Sequence, residues 1–440
     1  MRRPNIFMIV VHDLGTHLAC YRNDRSIPTP NLDRLAGEGV RFDNHFCAAP
    51  FCSPSRGAII TGKYPHVNGL MGLVNLGWDI PSGQLRLAQA LKLSGYDTFL
   101  FGHQHESKDP GALGFDAIDI SSQKGSGVAP LVREFVKKKS VGEPSPFYCQ
   151  IGFTEVHRTV RVFNHESELK LNFDELTPLP YLKDTAGLRE DLRDFYGTIQ
   201  DMDLAVGAIL ESIDHSPLKN DTLVVFTTDH GIAFPRAKGT LYDAGINTCL
   251  IMRWPNGFAG GRISKELLSN VDIFPTLLDV AGAPIPGDIS GHSFLGLLQE
   301  TGYVPNQRIF AEMNTMPGDV KRCVRTERYK LIRNFDEGPA LTMPAGSRLS
   351  PTGLMMGDDH LVPRPKLELY DISEDPYEQN NLVSTPEYKA IENELTAELQ
   401  YFLETTNDPI LSGNIPRPAE EEEILRQYAI QCEEHLKASV

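Results

Sequence analysis

Four apolar runs stand out in the first part of the chain, and each is closed by polar or glycine residues. The runs are residues 5–11, 98–101, 147–153 and 222–228. Such a run is typical of a strand buried on both faces, with functional side chains at its carboxyl end. Helical periodicity lies between the runs and after them, at residues 31–36, 84–95, 186–213 and 271–278. The pattern predicts an α/β fold in which helices sandwich a large, mostly parallel sheet.

The longest helical segment, residues 186–213, carries an apolar stripe of Leu204, Ala208 and Ile209. After about residue 305 the apolar segments become shorter and are separated by long polar stretches. Strands are expected there at residues 308–312, 323–334 and 367–371, followed by an amphipathic helix from about 386 to 404. A chain of this length can bury a large core, and we expect two unequal domains, residues 1–305 and 306–440.

The composition is that of an ordinary globular protein with an excess of negative charge. Of the 440 residues, 41% are hydrophobic and 23% are charged, and the formal net charge is −16. That charge argues against a general affinity for nucleic acids or anionic membranes. No apolar run approaches the length of a membrane span. The run at residues 5–11 is too short for a signal-peptide core, which favours a cytoplasmic location.

Seven cysteines are scattered along the chain: Cys20, Cys47, Cys52, Cys149, Cys249, Cys323 and Cys432. An odd number without close spacing fits reduced thiols better than a disulfide framework. Each except Cys52 is most simply a small hydrophobic residue of the core. The acidic run at residues 420–423 is expected to be the solvated start of a terminal helix.

Cys52 differs from the other cysteines because of the residues around it. Pro54 suits the first turn of a helix and the preceding segment is rich in turns, so Cys52 is expected at a strand-to-helix junction. The free N–H groups at such a helix end favour an anion. Arg56, one helical turn further on, can offer a planar fork of donors to the same tetrahedral oxyanion. On these residues alone, a buried structural cysteine explains Cys52 equally well.

The pattern Cys-x-Pro-x-Arg at residues 52–56 continues into Thr-Gly-Lys-Tyr-Pro-His at residues 61–66. Together they resemble the signature of the type I sulfatases, a family of the alkaline phosphatase-like superfamily. The resemblance implies that a maturation enzyme oxidises Cys52 to formylglycine. In that family the hydrated aldehyde is the nucleophile.

The resemblance also implies a metal site at two strand ends. The family has two adjacent aspartates, both bound to calcium, where this chain has His12 and Asp13. Asp229 and His230 resemble the second half of that site, and residue Cys52, once converted, adjoins the same cation. Because calcium prefers oxygen ligands, an imidazole at position 12 would weaken the site or change its preference to another divalent metal. The alternative is that His12 is only a polar residue at a strand end.

Further side chains are implied in binding sulfate and moving protons. The family carries Gly-Lys-x-His where this chain has His103 at the lysine position and His105 at the histidine position. His157 and Lys238 fall on residues that contact sulfate in the family, and with Arg56 they would neutralise the sulfate oxygens. His105 is the candidate for removing a proton when sulfate is released. A charged His103 would bind sulfate until the pH rises past its pKa. The alternatives are satisfied strand-end histidines and an exposed loop lysine.

The stretch around Lys238 and the segments at residues 368–382 and 404–409 resemble the heparan N-sulfatases. The resemblance implies a smaller C-terminal domain built from an antiparallel sheet and a helix. It also implies hydrolysis of a sulfate ester or a sulfamate, on a sugar such as N-sulfoglucosamine. Because the net charge of the chain repels a long polyanion, we expect a small sulfated saccharide or another small sulfated molecule as substrate.

Two other functions stay open at this point. A phosphodiesterase or phosphonate monoester hydrolase of the same superfamily would use the same groups. A catalytically inactive relative that only binds a sulfated sugar is favoured by His12 and His103, because both remove a charge that the family normally keeps.

Overall fold

The computed structural model describes residues 3–142, 145–159, 161–168 and 176–437, without the side chains of residues 359 and 432–437. The strands of the N-terminal part are β1 (Asn5–Val11), β2 (Val40–Phe42), β3 (His45–Phe46), β4 (Asp97–Gly102), β5 (Ala117–Asp119), β6 (Phe147–Gly152), β7 (Thr222–Thr228), β8 (Leu250–Arg253), β9 (Arg262–Ser264) and β10 (Leu268–Ser269). Its helices are α1 (Ala19–Arg22), α2 (Pro30–Glu38), α3 (Cys52–Thr61), α4 (Pro65–Asn68), α5 (Leu87–Leu93), α6 (Gly125–Lys139), α7 (Ala186–Asp214), α8 (Asp243–Ile246), α9 (Ile273–Val280) and α10 (Leu295–Gln299).

Eight of these strands form one sheet in the order β5-β4-β6-β1-β7-β8-β2-β9. Strand β8 runs antiparallel to its two neighbours, and the other pairings are parallel. Alternate residues of β1 enter two separate cores, one shared with α3, α5 and α9 and the other with α2, α6 and α7. Period-two alternation in a strand buried on both faces has this effect. The predicted fold, a mostly parallel sheet between helices, is confirmed.

The C-terminal part holds β11 (Ile309–Met313), β12 (Lys321–Arg325), β13 (Tyr329–Asn334) and β14 (Leu367–Asp371), with α11 (Ala345–Arg348), α12 (Pro351–Leu354), α13 (Lys389–Thr405) and α14 (Glu421–Lys437). The four strands form an antiparallel sheet in sequence order. Apolar side chains of α13 pack with this sheet in the core that α3 also enters. The predicted antiparallel sheet with a helix is confirmed, whereas the boundary at residue 305 stays a prediction.

One expected strand of the C-terminal sheet is wrong. Residues 323–334 were expected to form a single strand, but they form most of the hairpin β12-β13, which turns at residues 326–328. The turn is closed by the N–H of Thr326, which donates to the carbonyl oxygen of Tyr329 at 2.8 Å. The turn residues Thr326, Glu327 and Arg328 are polar, but they include none of the Gly or Asn residues that normally mark a hairpin.

The expected apolar stripe of α7 is wrong at one position. Ile209 is buried and Ala208 is half-buried, but Leu204 is 56% exposed. The buried face of the helix runs through Met202, Val206 and Ile209. Leu204 is two positions after Met202 and two positions before Val206. At 3.6 residues per turn, a step of two residues leads to the other side of the helix, so Leu204 faces away from the core.

The acidic run at the start of α14 is also less exposed than expected. Glu421 is only 2% exposed. Its carboxylate accepts a hydrogen bond from Nε1 of Trp78 at 2.8 Å and pairs with Arg417 at 2.9 Å. The acidic composition of residues 420–423 predicts exposure to solvent, but Trp78, which is distant in sequence, gives Glu421 a buried hydrogen-bond partner.

The cysteines whose side chains are described form no disulfide. Cys47, Cys149, Cys249 and Cys323 are buried, as expected of core residues, whereas Cys20 is only partly buried. The side chain of Cys432 lies outside the described part. None of the helices in the described residues has the length and apolar character needed to cross a membrane.

A buried ion network joins the C-terminal sheet to the N-terminal part. Nζ of Lys330, on β13, lies 2.5 Å from Oδ1 of Asp243 and 2.7 Å from Oε1 of Glu378. Arg325, on β12, pairs with Asp243 at 2.9 Å. Asp243 begins α8, so three segments meet at one set of charges. Charges withdrawn from water in this way depend strongly on keeping their partners.

We expect Lys330→Met to lower the free energy of unfolding by about 3–5 kcal/mol, because it leaves Glu378 and part of the Asp243 charge buried without compensation. Urea denaturation followed by circular dichroism measures the change. The matched control is Lys366→Met at an exposed lysine, which should stay within about 0.5 kcal/mol of the parent. Equal stability of the two variants would show that the network does not hold the sheet in place.

Candidate active site

The candidate site lies where β1 and β7 end side by side. The two strands pair in parallel along their whole lengths, so the residues that follow them are neighbours. His12 and Asp13 follow β1, and Asp229 and His230 follow β7. The backbone N–H of Asp13 donates to Oδ1 of Asp229 at 3.0 Å. The structure thus brings together two predicted halves of a metal site that are far apart in the sequence.

Cys52 is the first residue of α3 and is 2% exposed. Its Sγ lies 3.3 Å from Nε2 of His230, 3.6 Å from Nζ of Lys238 and 3.9 Å from Oδ1 of Asp13. Burial on its own raises the pKa of the thiol, but Lys238 and His230 hold that pKa well below its usual value. These polar neighbours do not fit the alternative of a structural cysteine packed in hydrocarbon.

Asp13 stays ionised although it is fully buried. Burial raises the pKa of its carboxyl group, but Lys238, together with His157 and His230, lowers the pKa to about 2. Nζ of Lys238 lies 2.8 Å from Oδ2 of Asp13, and the lysine itself is only 8% exposed. Lys238 is therefore part of the site and not the exposed loop cation of the alternative reading.

Asp229 is ionised for similar reasons. Burial opposes its charge, but His230 and His12 hold the pKa of its carboxyl group well below the usual value. Nε of the fully buried Arg56 donates to Oδ2 of Asp229 at 3.0 Å. The expected position of Arg56 one turn beyond Cys52 is seen, with its guanidinium directed at this carboxylate. Its contact with sulfate stays a prediction.

Four imidazole rings gather beside the carboxylates. The ring centre of His12 lies 4.5 Å from that of His103, 5.4 Å from that of His157 and 6.2 Å from that of His105. His103 and His105 are themselves 5.9 Å apart, so their predicted placement on one side of the site agrees with the structure. His157 is exposed and marks the open side of the group.

His103 does not carry the charge that would let it hold sulfate. Burial, with the nearby charges of His12 and Arg56, lowers the pKa of its imidazole to about 2. The ring is therefore neutral, and its Nδ1 lies 2.9 Å from Oε1 of Gln123. Contact of His103 with sulfate stays a prediction, and burial among other cationic groups disfavours the charged ring on which that contact depends. A neutral imidazole can still form a hydrogen bond to a bound group.

The donor atoms fit a divalent cation. One ligand atom from each of His12, Asp13, Cys52 and Asp229 lies within 4.8 Å of all the others. Nδ1 of His12 lies 3.1 Å from Oδ2 of Asp229, and its Nε2 is buried without a hydrogen-bond partner in the described structure. Burial and Arg56 oppose a charge on this ring, yet the two carboxylates raise its pKa to about 10. A bound cation would supply the positive charge that a proton on His12 otherwise supplies.

The sequence reasoning missed Glu106, which is 1% exposed. Its Oε2 accepts the backbone N–H of His105 at 2.6 Å, and its Oε1 accepts from Nε2 of Gln150 at 2.9 Å. Oε1 also lies 3.6 Å from Nη1 of Arg56. One carboxylate thus connects the His105 segment to α3. The sequence contains one indication of this contact: Gln150 is a polar residue within an otherwise apolar strand and therefore needs a buried polar partner.

Residues 61–66, the extension of the cysteine motif, do not enter the site. Nζ of Lys63 pairs with Asp288 at 2.6 Å. Nδ1 of His66 is hydrogen-bonded to Glu312 of β11 and lies 3.7 Å from Oδ2 of Asp408. The contacts of His66 tie the chain that follows α3 to the C-terminal part, whereas Lys63 pairs within the N-terminal part. The extension therefore supports the position of α3.

The geometry defines a class of enzyme. A nucleophile at a helix N-terminus, two carboxylates for a cation and buried cationic side chains suit hydrolysis at a tetrahedral anionic centre. The pattern of the sulfatase family matches residues 4–283, and the C-terminal pattern of N-sulphoglucosamine sulphohydrolase matches residues 231–343. The chain belongs to the sulfatase family, as its cysteine motif predicts.

Known proteins with similar sequences span nearly the whole chain. An ulvan-active sulfatase of Formosa agariphila is 29% identical over an alignment of 463 positions, gaps included, which covers 94% of this chain and 76% of the relative. Human N-sulphoglucosamine sulphohydrolase is 28% identical over an alignment of 471 positions, which covers 93% of this chain and 91% of the relative.

Solved structures show the same fold. A protein in complex with its substrate D-glucosamine 2-N,6-O-disulfate superimposes with a TM-score of 0.73 at 22% identity, covering 92% of this chain and 99% of that protein. A 2-O glycosaminoglycan sulfatase superimposes with a TM-score of 0.70 at 21% identity, covering 96% of each chain.

We expect Glu106→Gln to lower kcat/KM for sulfate release by about tenfold or more, because it removes the negative charge beside Arg56 while keeping the side-chain shape. Glu106→Ala should lower it further, since the hydrogen bond to the His105 backbone is also lost. Steady-state kinetics with a sulfated substrate measure both. Glu134→Gln, at an exposed glutamate of α6, is the control and should match the parent. If Glu106→Gln also matches the parent, Glu106 does not position the site.

Proposed function

We propose that this protein is a sulfatase that hydrolyses a sulfate ester or a sulfamate of a small sulfated saccharide. Water is consumed, and the products are sulfate and the free alcohol or amine. The observation that carries the proposal is the position of Cys52 at the start of α3, in contact with Asp13, Lys238 and His230. The relatives support the substrate class, since their names and bound substrate refer to ulvan, N-sulphoglucosamine and glucosamine disulfate.

The proposed reacting group is formylglycine, made from Cys52 by a maturation enzyme, and residue 52 then supplies the nucleophilic oxygen. Asp13, Asp229 and His12 would hold a divalent cation, with His230 beside them. Calcium is the ion that the family resemblance implies, and the two histidines admit another divalent metal. When bound, such an ion lowers the pKa of the nucleophilic oxygen and polarises the sulfuryl group.

The other residues of the site have different roles, which follow from their positions. Lys238 is cationic and contacts Sγ of residue 52, so it can neutralise the sulfate oxygens as their charge redistributes. His157, on the exposed side, can do the same for a substrate that enters there. His105 is close enough to lower the pKa of the Cys52 thiol by hydrogen bonding, and can take a proton at residue 52. Arg56 acts by holding Asp229 in place.

The charge of the chain supports a small substrate. A net charge of −16 repels a long polyanion, and Lys238, the cationic group in contact with residue 52, is buried. A single sulfated sugar or the end of a short chain can reach such a site, whereas the middle of a polymer would have to approach against the field of the whole protein.

We expect Cys52→Ala to lower turnover by about 10⁴-fold or more, because it removes the nucleophile and leaves only binding and electrostatic groups. Far-ultraviolet circular dichroism should be unchanged. Sulfate release by protein produced together with a formylglycine-generating enzyme is the measurement, with peptide mass confirming conversion of Cys52. Cys323→Ala, at a buried cysteine of the C-terminal sheet, is the control that keeps activity. Turnover by Cys52→Ala at the parent's rate would refute the mechanism.

A substrate panel tests the reaction type. We expect converted enzyme to release sulfate from N-sulfoglucosamine or an O-sulfated glucosamine faster than it cleaves an aryl phosphate diester. The reverse order would favour the phosphodiesterase reading. A sulfated sugar that binds to fully converted protein and is never cleaved would show an inactive sugar-binding relative instead.

A further inference from the structure

The cation site mixes two kinds of donor. Asp13 and Asp229 offer hard carboxylate oxygens, whereas His12 and His230 bring imidazole nitrogens into the same space. Nδ1 of His12 lies 3.1 Å from Oδ2 of Asp229, and Nε2 of His230 lies 3.1 Å from Oδ1 of Asp13. Each carboxylate therefore has one imidazole nitrogen beside it, within the distance that two ligands of a common ion adopt.

His12 is 2% exposed, and its Nδ1 lies beside the carboxylate of Asp229. Its other ring nitrogen, Nε2, has no hydrogen-bond partner in the described part of the structure. The rings of His103, His105 and His157 pack around it at angles between 49° and 86°. A buried polar nitrogen without a partner is unfavourable, and coordination of a cation through that nitrogen removes the penalty.

His230 is held in the form that a metal ligand requires. Its Nδ1 lies 2.8 Å from the carbonyl oxygen of Gly231. Because a carbonyl oxygen can only accept, Nδ1 carries a proton, and in the neutral ring the free electron pair is on Nε2. Nε2 faces Oδ1 of Asp13 and lies 3.3 Å from Sγ of Cys52. An outer hydrogen bond of this kind is the usual way in which proteins orient a histidine ligand.

These donors favour a particular class of ion. Calcium takes about six to eight oxygen ligands, whereas imidazole nitrogen suits the first-row transition metals. We propose that this site binds a divalent transition metal in preference to calcium, and that His12 is the nitrogen ligand that sets the preference. The inference takes the location of the site from the proposed function and adds the identity of its ion.

The test measures metal binding, not activity, in a Cys52→Ser chain, because the thiol sulfur would itself favour a soft metal. After treatment with a chelator, the midpoint of thermal unfolding is measured with equal concentrations of Ca²⁺, Mn²⁺ or Zn²⁺. Affinities follow from titration, and the metal retained after dialysis is measured by mass spectrometry. We expect Mn²⁺ and Zn²⁺ to raise the midpoint more than Ca²⁺ and to bind about tenfold more tightly or better.

Two variants of His12 measure how much its ring nitrogen contributes to the metal preference. His12→Asp supplies a hard oxygen, so Ca²⁺ binding should tighten about tenfold and the order of preference should reverse. His12→Gln removes the nitrogen without adding a charge, and should lose the preference for Mn²⁺ and Zn²⁺ without gaining calcium affinity. His215→Asp makes the first substitution at an exposed residue after α7 and should keep the parent's order.

Three outcomes would overturn the inference: Ca²⁺ binding to the Cys52→Ser chain as tightly as Mn²⁺ and Zn²⁺, an unchanged order in both His12 variants, or no metal binding at all. Failure of the proposed function has a different signature. If converted enzyme releases no sulfate while the order of metal affinities is as expected, the sulfatase assignment fails and the identity of the ion stands.

Discussion

Two carboxylates buried side by side set the requirements that the rest of this structure meets. The parallel pairing of β1 with β7 places Asp13 and Asp229 at adjacent strand ends, where both are fully buried. Like charges in a poorly solvated space repel, so each needs a cation close by. Lys238, Arg56 and His12 supply positive charge at distances of 2.8 to 3.1 Å. The electrostatics of the site thus follow from the pairing of β1 with β7. The surrounding segments supply positive charge that offsets the negative charge of the two carboxylates.

The C-terminal sheet takes part in this compensation without contributing a reacting group. The loop that carries Lys238 is anchored on one side by Arg236, whose Nη1 donates to the carbonyl oxygen of Tyr377 at 2.6 Å. On the other side, Nζ of Lys330 donates to the carbonyl oxygen of Leu241 at 3.0 Å. A lysine that must stay within reach of a buried carboxylate benefits from a backbone held at both ends. The C-terminal part therefore limits where Lys238 can go, through Lys330 of β13 and through Tyr377 in the chain after β14.

Most of the fold, and the outline of the site, could be predicted from sequence because they depend on local patterns. The apolar run at residues 222–228 needs no tertiary context to be identified as a buried strand, and Asp229 follows it directly. Glu106 could not be found in this way, since its importance lies in contacts with Arg56 and Gln150. The same limit explains His103 and Leu204: the charge of the first depends on burial among cations, and the exposure of the second depends on which face of α7 meets the sheet.

All ten residues of α3, from Cys52 to Thr61, are buried. No surface loop presents the thiol, and the helix that carries it is enclosed by both parts of the protein. The proposed conversion of Cys52 would therefore require a modifying enzyme to reach this segment before the chain folds around α3. A residue 52 enclosed without conversion would remain a thiol in a complete site.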